Sequence, residues 1–304
     1  MNIKNCLLLT AACLLILFAL PDTGLPQTKT VTDETGRTMS VPENPMRVIA
    51  LAPSITEIIF DLGQEHRLKG ATMFSNYPPE TAKLPKVGSY VHLDLEKIVA
   101  LKPDLCIGIK DGNPIAVVRR LDALNIPVYA VNPTNFDSVT KTILKIGTLL
   151  NSPDRAKSLA ENLTKRISTV KSKISNTDYR PGVFFQIGIT PIVSAGYSTF
   201  THEMIILAGG RNLAQGPTPY PRFSREQVLS LMPDVIIIAS MAREGGFEQA
   251  KATWNSWPQL PAVQNNRIFI IDADLVNRPT SRLVQGLETI AKLIHPKLFP
   301  ECEN

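Results

Sequence analysis

Asp94-Leu-Glu-Lys-Ile-Val-Ala-Leu-Lys-Pro-Asp104 and Ser224-Arg-Glu-Gln-Val-Leu-Ser-Leu-Met-Pro-Asp234 are two copies of one pattern, at a constant offset of 130 positions. Each copy opens on a helix-capping residue, Asp94 or Ser224, and carries a glutamate two positions later. Each then runs through an apolar pair, Ile98-Val99 or Val228-Leu229, to a Pro-Asp stop. An apolar strand follows in both, Leu105–Ile109 or Val235–Ala239, and later a second one, Pro127–Val131 or Arg267–Ile271. A single repeat of this length indicates two related lobes, not a solenoid.

The surrounding sequence extends that reading. Arg47–Leu51 is a short apolar run that predicts a buried strand, and Ser54-Ile-Thr-Glu57 has the form of a capping box opening a helix that stops at Gly63. Strands alternating with helices predict parallel sheets with covering helices. Ser152-Pro-Asp154 starts a polar helical stretch on which Leu159, Leu163, Ile167 and Val170 form one narrow apolar stripe. The expected fold is therefore α/β, with two Rossmann-like lobes over residues 30–150 and 180–304 joined by one long helix over 153–176. A continuous helix resists bending, so lobe closure is expected to be limited.

Residues 1–25 stand apart. Lys4 precedes an apolar run from Cys6 to Leu20, the pattern of an export signal. The run is shorter than the ~20 residues a bilayer span needs. Thr10–Cys13 loosely matches a lipoprotein processing site, which leaves lipidation at Cys13 and an uncleaved anchor as alternatives to simple cleavage. Of the four cysteines, Cys106 and Cys302 fall in the mature chain. Cys106 sits in an apolar strand where an inert buried thiol is expected, and a Cys106–Cys302 bridge is open in an oxidising compartment.

Composition narrows the function. The chain of 304 residues is 44% hydrophobic and 19% charged, which suits a folded core. Its net charge of +5 is scattered, without a polybasic run, so nucleic acid is not an expected partner. No dinucleotide or phosphate-binding glycine loop and no nucleophile elbow occur. His66, His92, His202 and His295 lack metal-ligand spacing, so neither a metal nor a catalytic centre is predicted. Asp272 and Asp274 at a strand end read as loop capping. Binding is the expected role. Glu96 and Glu226 lie off the apolar stripes of equivalent helices and should face solvent. A carboxylate there suits the helix dipole, and two such knobs also suit a symmetric partner with two basic pockets.

Val31–Thr38, Arg47–Glu57 and Leu95–Asp104 resemble the helical-backbone (class III) substrate-binding proteins of ABC importers, over essentially the whole mature chain. Phe74–Pro79, Gln186–Pro191, Pro219–Leu229 and Asn277–Arg282 are most similar to the cobalamin-binding members. The resemblance implies an exported, periplasmic, monomeric protein that holds cobalamin between its lobes, carried and not used as a cofactor. It implies that Glu96 and Glu226 dock onto arginines of a permease dimer served by ATPase subunits. It implies ligand contacts from Phe74, Tyr90, Tyr220, Asp274 and Arg278. Ile109 stands where those members have a tryptophan and Ala208 where they have a cysteine, which leaves a ferric siderophore or haem as the alternative ligand. Arg222, Arg243 and Arg278 would then meet an anionic iron centre.

Overall fold

In the computed structural model, which describes residues 27–239 and 246–300, the repeat is visible as backbone chemistry. Asp94 and Ser224 both cap their helices, accepting from the N–H groups of Lys97 at 3.1 Å and Gln227 at 3.2 Å. Lys102 and Met232, 130 positions apart, both turn to positive φ, 48° and 46°, and end their helices before a proline that cannot continue them. The terminal aspartates then bond to the start of the neighbouring strand. Asp104 accepts from the N–H groups of Met46 and Arg47, and Asp234 from that of Gly182. Of the two apolar pairs, Ile98 and Val228 are buried; Val99 is exposed and Leu229 half-buried.

A hairpin of β1 (Thr28–Thr32) and β2 (Thr38–Pro42) precedes the N-terminal lobe. That lobe holds β3 (Val48–Ala50), α1 (Pro53–Asp61), β4 (Leu68–Ala71), α2 (Leu95–Ala100) and β5 (Leu105–Ile109), then α3 (Ile115–Ala123), β6 (Val128–Val131) and α4 (Phe136–Leu149). Helix α5 (Pro153–Ile174) links it to the second lobe. There, β7 (Gly182–Gln186), β8 (Ile192–Val193), α6 (Phe200–Leu207), β9 (Arg211–Asn212), β10 (Arg222–Phe223) and α7 (Arg225–Ser230) come first. They are followed by β11 (Val235–Ile238), α8 (Phe247–Asn255), α9 (Pro261–Gln264), β12 (Ile268–Ile270), α10 (Ala273–Asn277) and α11 (Leu283–Ile294). The two main sheets have the orders β4-β3-β5-β6 and β9-β7-β11-β12, parallel throughout. Lobe by lobe, the strands correspond in both sequence and space.

Helix α5 spans about 33 Å at 1.5 Å per residue. Its buried face is Ala156, Ala160, Leu163, Val170 and Ile174, with Leu159 and Ile167 half-buried beside it. Gly147 of α4 lets α5 cross closely, because a Cβ there would stand 2.3 Å from that of Ala156. Arg166 binds Glu288 of α11, and Arg155 donates to the Asp61 carbonyl. One apolar core runs from Ile143 and Ile146 through Leu163 and Val170 to Ile205 and Leu287, so the helix is packed into both lobes.

Helix α1 corrects one expectation. Pro53 occupies its first turn, Ala52 is the N-cap, and no side chain caps it. The Ser54–Glu57 capping box does not form: both residues lie inside the helix and are buried. Proline's fixed φ starts the helix two residues earlier than a Ser54 cap would, and Glu57 turns toward the other lobe instead. Gly63, at φ 69°, follows the helix end as the sequence predicts. Cys106 is fully buried in β5, where burial pushes its thiol far up. Cys302, the leader with Cys6 and Cys13, and Arg243 lie outside the described residues. Among the described residues, no helix is long and apolar enough to cross a membrane.

Candidate ligand-binding cleft

Between the lobes lies an open cavity of about 940 Å³, at the upper end of the roughly 300–1,000 Å³ usual for ligand clefts. Phe74, Tyr90, Tyr220, Asp274 and Arg278 all line it. Phe74 and Tyr90 meet edge to face, with ring centroids 6.2 Å apart. Tyr220 is 61% exposed at the opposite wall. Its loop is strapped to the segment leaving β8 by the N–H groups of Ser194, Gly196 and Tyr197, which donate to the carbonyls of Pro221, Pro219 and Gly216. Gly196 is required there, since a Cβ would stand 2.2 Å from the Thr218 carbonyl. Phe200 and Phe247 add two further aromatic walls, and Ile109 lines the N-terminal side.

Tyr90 is held by a residue that does not line the cleft. The Asn113 amide donates to the carbonyls of Leu51 and Tyr90, both at 2.8 Å, and its Oδ1 accepts from the Ile109 N–H at 2.7 Å. One side chain thus ties the ends of β3 and β5 to the Tyr90 loop. Asn113→Ala strands these partly buried backbone groups, and we expect a loss of about 2–3 kcal/mol, read from the urea midpoint.

Electrostatics set the floor. The Arg278 side chain is 9% exposed and carries its charge into a closed ring of acceptors. Nη1 donates to Glu57 Oε1 at 2.7 Å and Asn76 Oδ1 at 2.8 Å; Nη2 donates to the Phe74 carbonyl at 3.3 Å and pairs with Asp274 at 2.8 Å. Asp272 caps the turn through the Asp274 N–H, as the sequence predicts for this pair. Glu57, 1% exposed, also accepts from Thr280 at 3.1 Å and faces Arg282 at 3.5 Å. Burial raises its carboxyl above the ordinary value, against the pull of Arg278, Arg282 and Thr280. One turn on, Asp61 accepts from Ser281, so α1 grips residues 278–282 of the other lobe with two carboxylates. A further tie between lobes comes from Glu203, whose carboxylate accepts from the Phe136 N–H at the start of α4 at 2.9 Å.

Among the described lining residues Arg278 is the single cation, and the lining also carries the carboxylates of Asp111, Asp272 and Asp274. Arg222 is exposed in the antiparallel β8–β10 pair and does not line the cavity. Glu96 and Glu226 are also outside the cleft: both are exposed, in the first turns of α2 and α7. The Glu226 carboxylate is held below its ordinary value by its own backbone N–H, the Ser224 hydroxyl and Arg225. Among the described residues no cluster of histidine, cysteine and carboxylate side chains has the form of a metal site.

Two like lobes, a packed linking helix and an aromatic cleft define a two-lobed α/β cleft protein. Residues 48–275 match the family model described as periplasmic binding protein, and the chain belongs to that family. It is similar to the vitamin B12-binding protein of Photorhabdus laumondii subsp. laumondii, 32% identical over 83% of this chain and 88% of the relative. The solved periplasmic vitamin B12 binding protein BtuF of Vibrio cholerae superposes with a TM-score of 0.74 at 28% identity, covering 86% of this chain and all of that one. A periplasmic heme-binding protein from Pseudomonas aeruginosa also reaches 0.74, at 27% identity over 83% and 93% of the two chains. The family provides substrate-binding components of ABC transporters, which are not enzymes.

Proposed function

We propose that the protein captures a cobalamin or related corrinoid in the interlobe cleft, in the periplasm, and delivers it to an ABC permease with its ATPase subunits. The observation that carries the ligand assignment is a large aromatic cleft whose single described lining cation is already engaged by Glu57, Asp274, Asn76 and a carbonyl. A corrinoid is broad, largely apolar across its ring and fringed by neutral amides. Aromatic faces match such a surface at low rotamer cost, and the cleft's carboxylates and asparagines match the amides. Anionic iron chelates would instead meet an excess of lining carboxylates. The corrinoid-binding relatives add support.

Phe74, Tyr90, Tyr220 and Asp274 are assigned to ligand contact, Arg278 to framing the cleft floor, and Glu96 and Glu226 to permease docking. Tyr90→Ala and Tyr220→Ala are each expected to weaken cyanocobalamin binding about tenfold, the scale of losing one well-buried aromatic contact. Unchanged affinity in both variants would remove the aromatic walls from the assignment. Haem is the second reading, favoured by the equal superposition on a heme-binding protein and by tyrosine oxygens at the cleft.

A further inference from the structure

We propose that Glu57, a residue outside the cleft wall, determines which ligand charge the cleft accepts, by occupying Arg278. The proposal deepens the corrinoid reading, but it concerns charge and is testable with any macrocycle that binds.

Arginine recognises a carboxylate or phosphate through pairs of in-plane N–H groups. In Arg278 all four terminal N–H groups have acceptors: two face Glu57 and Asn76, two face Asp274 and the Phe74 carbonyl. An anionic ligand reaching the cleft floor therefore finds the guanidinium edge blocked and its charge compensated. Glu57 supplies the compensation from behind. It lies in an apolar helix among the buried residues Ile55, Ile58 and Ile59, and it makes its contacts across the lobe boundary. A buried ion pair adds little stability over apolar side chains of the same volume, so packing alone does not explain a carboxylate at this place. Its removal would leave the guanidinium, 9% exposed at the cleft floor, with Asp274 as its one remaining carboxylate partner and a larger share of its charge open to a ligand.

The test compares ligand pairs of closely matched shape and different charge: cyanocobalamin and its derivative with one side-chain amide hydrolysed to the acid, and, as a second pair, haem dimethyl ester and haem. Affinities are measured for the unmodified protein, Glu57→Gln, Arg278→Gln and the double variant, with circular dichroism to confirm folding. Glu57→Gln is expected to shift the acid-to-neutral affinity ratio about tenfold toward the acid. Arg278→Gln shifts it the other way, and the double variant returns near the starting ratio. An unchanged ratio in folded Glu57→Gln overturns the proposal. Should that variant not fold, an unchanged ratio in Arg278→Gln overturns it equally. If the cobalamin pair does not bind and the haem pair follows the rule, the corrinoid reading fails and the charge rule holds. Binding of neither pair to any variant overturns both.

Discussion

Cells carrying the Glu96→Ala/Glu226→Ala variant are expected to lose substrate uptake to background, while the purified variant binds ligand with unchanged affinity. The two glutamates occupy the same position in two copies of one helix, are exposed, and do not line the cleft. Their helices keep their caps in the variant, because Asp94 and Ser224 make those bonds. A purely structural role would therefore show as a lowered melting temperature, and a docking role as lost transport at constant stability. Each glutamate would supply one of two equivalent contacts to a symmetric receptor, so either single variant should retain partial uptake. Normal uptake by the double variant, measured with labelled substrate and the cognate permease, would remove the docking assignment.

The largest stability effect is expected from Arg278→Ala. Removing one partner of a buried ion pair leaves the other charge buried, at a cost of about 3–5 kcal/mol. Arg282 and Thr280 still face Glu57, which places the expected loss near about 3 kcal/mol, at the lower end of that range. The loss should also depend on pH. Burial already holds the Glu57 carboxyl above its ordinary value, and Arg278 is the largest opposing pull. A raised value means that the folded state binds the proton more tightly. Stability from this group is then fullest below the unfolded value and falls as pH rises through the folded one. Without Arg278 that fall extends to higher pH. Urea midpoints should thus differ more between variant and parent at pH 7.5 than at pH 4.5. Burial also raises the neighbouring Asp61 carboxyl, but its contact with Ser281 is present in both proteins. A pH-independent difference would contradict this view of the Glu57–Arg278 pair.

Much of this architecture was legible because it repeats. The Pro-Asp stops predicted helix ends and strand starts, and they carry matching positive-φ turns and aspartate–backbone bonds at both sites. The linking helix was legible from its stripe and from Pro153. Glu57 was not: a Ser-x-x-Glu spacing has the same letters whether it caps a helix or lies inside one, and Pro53 decides between them. The available signal was a carboxylate inside the apolar run Ile55–Phe60, a place that demands a partner charge. Phe200, Phe247, Asn76 and Asp111 reach the cleft from loops and helix starts, where no periodicity marks a wall. Asn113 carries no such mark either, since its role lies in joining two strand ends distant in sequence.

The most direct test of the assignment is a calorimetric titration of the protein lacking its first 25 residues with cyanocobalamin, beside haem and a ferric siderophore. The corrinoid reading predicts saturable one-to-one binding of cyanocobalamin, tighter than either iron ligand. Heat from haem or the siderophore with none from cyanocobalamin would contradict it, and would move the cleft to iron uptake on the same fold.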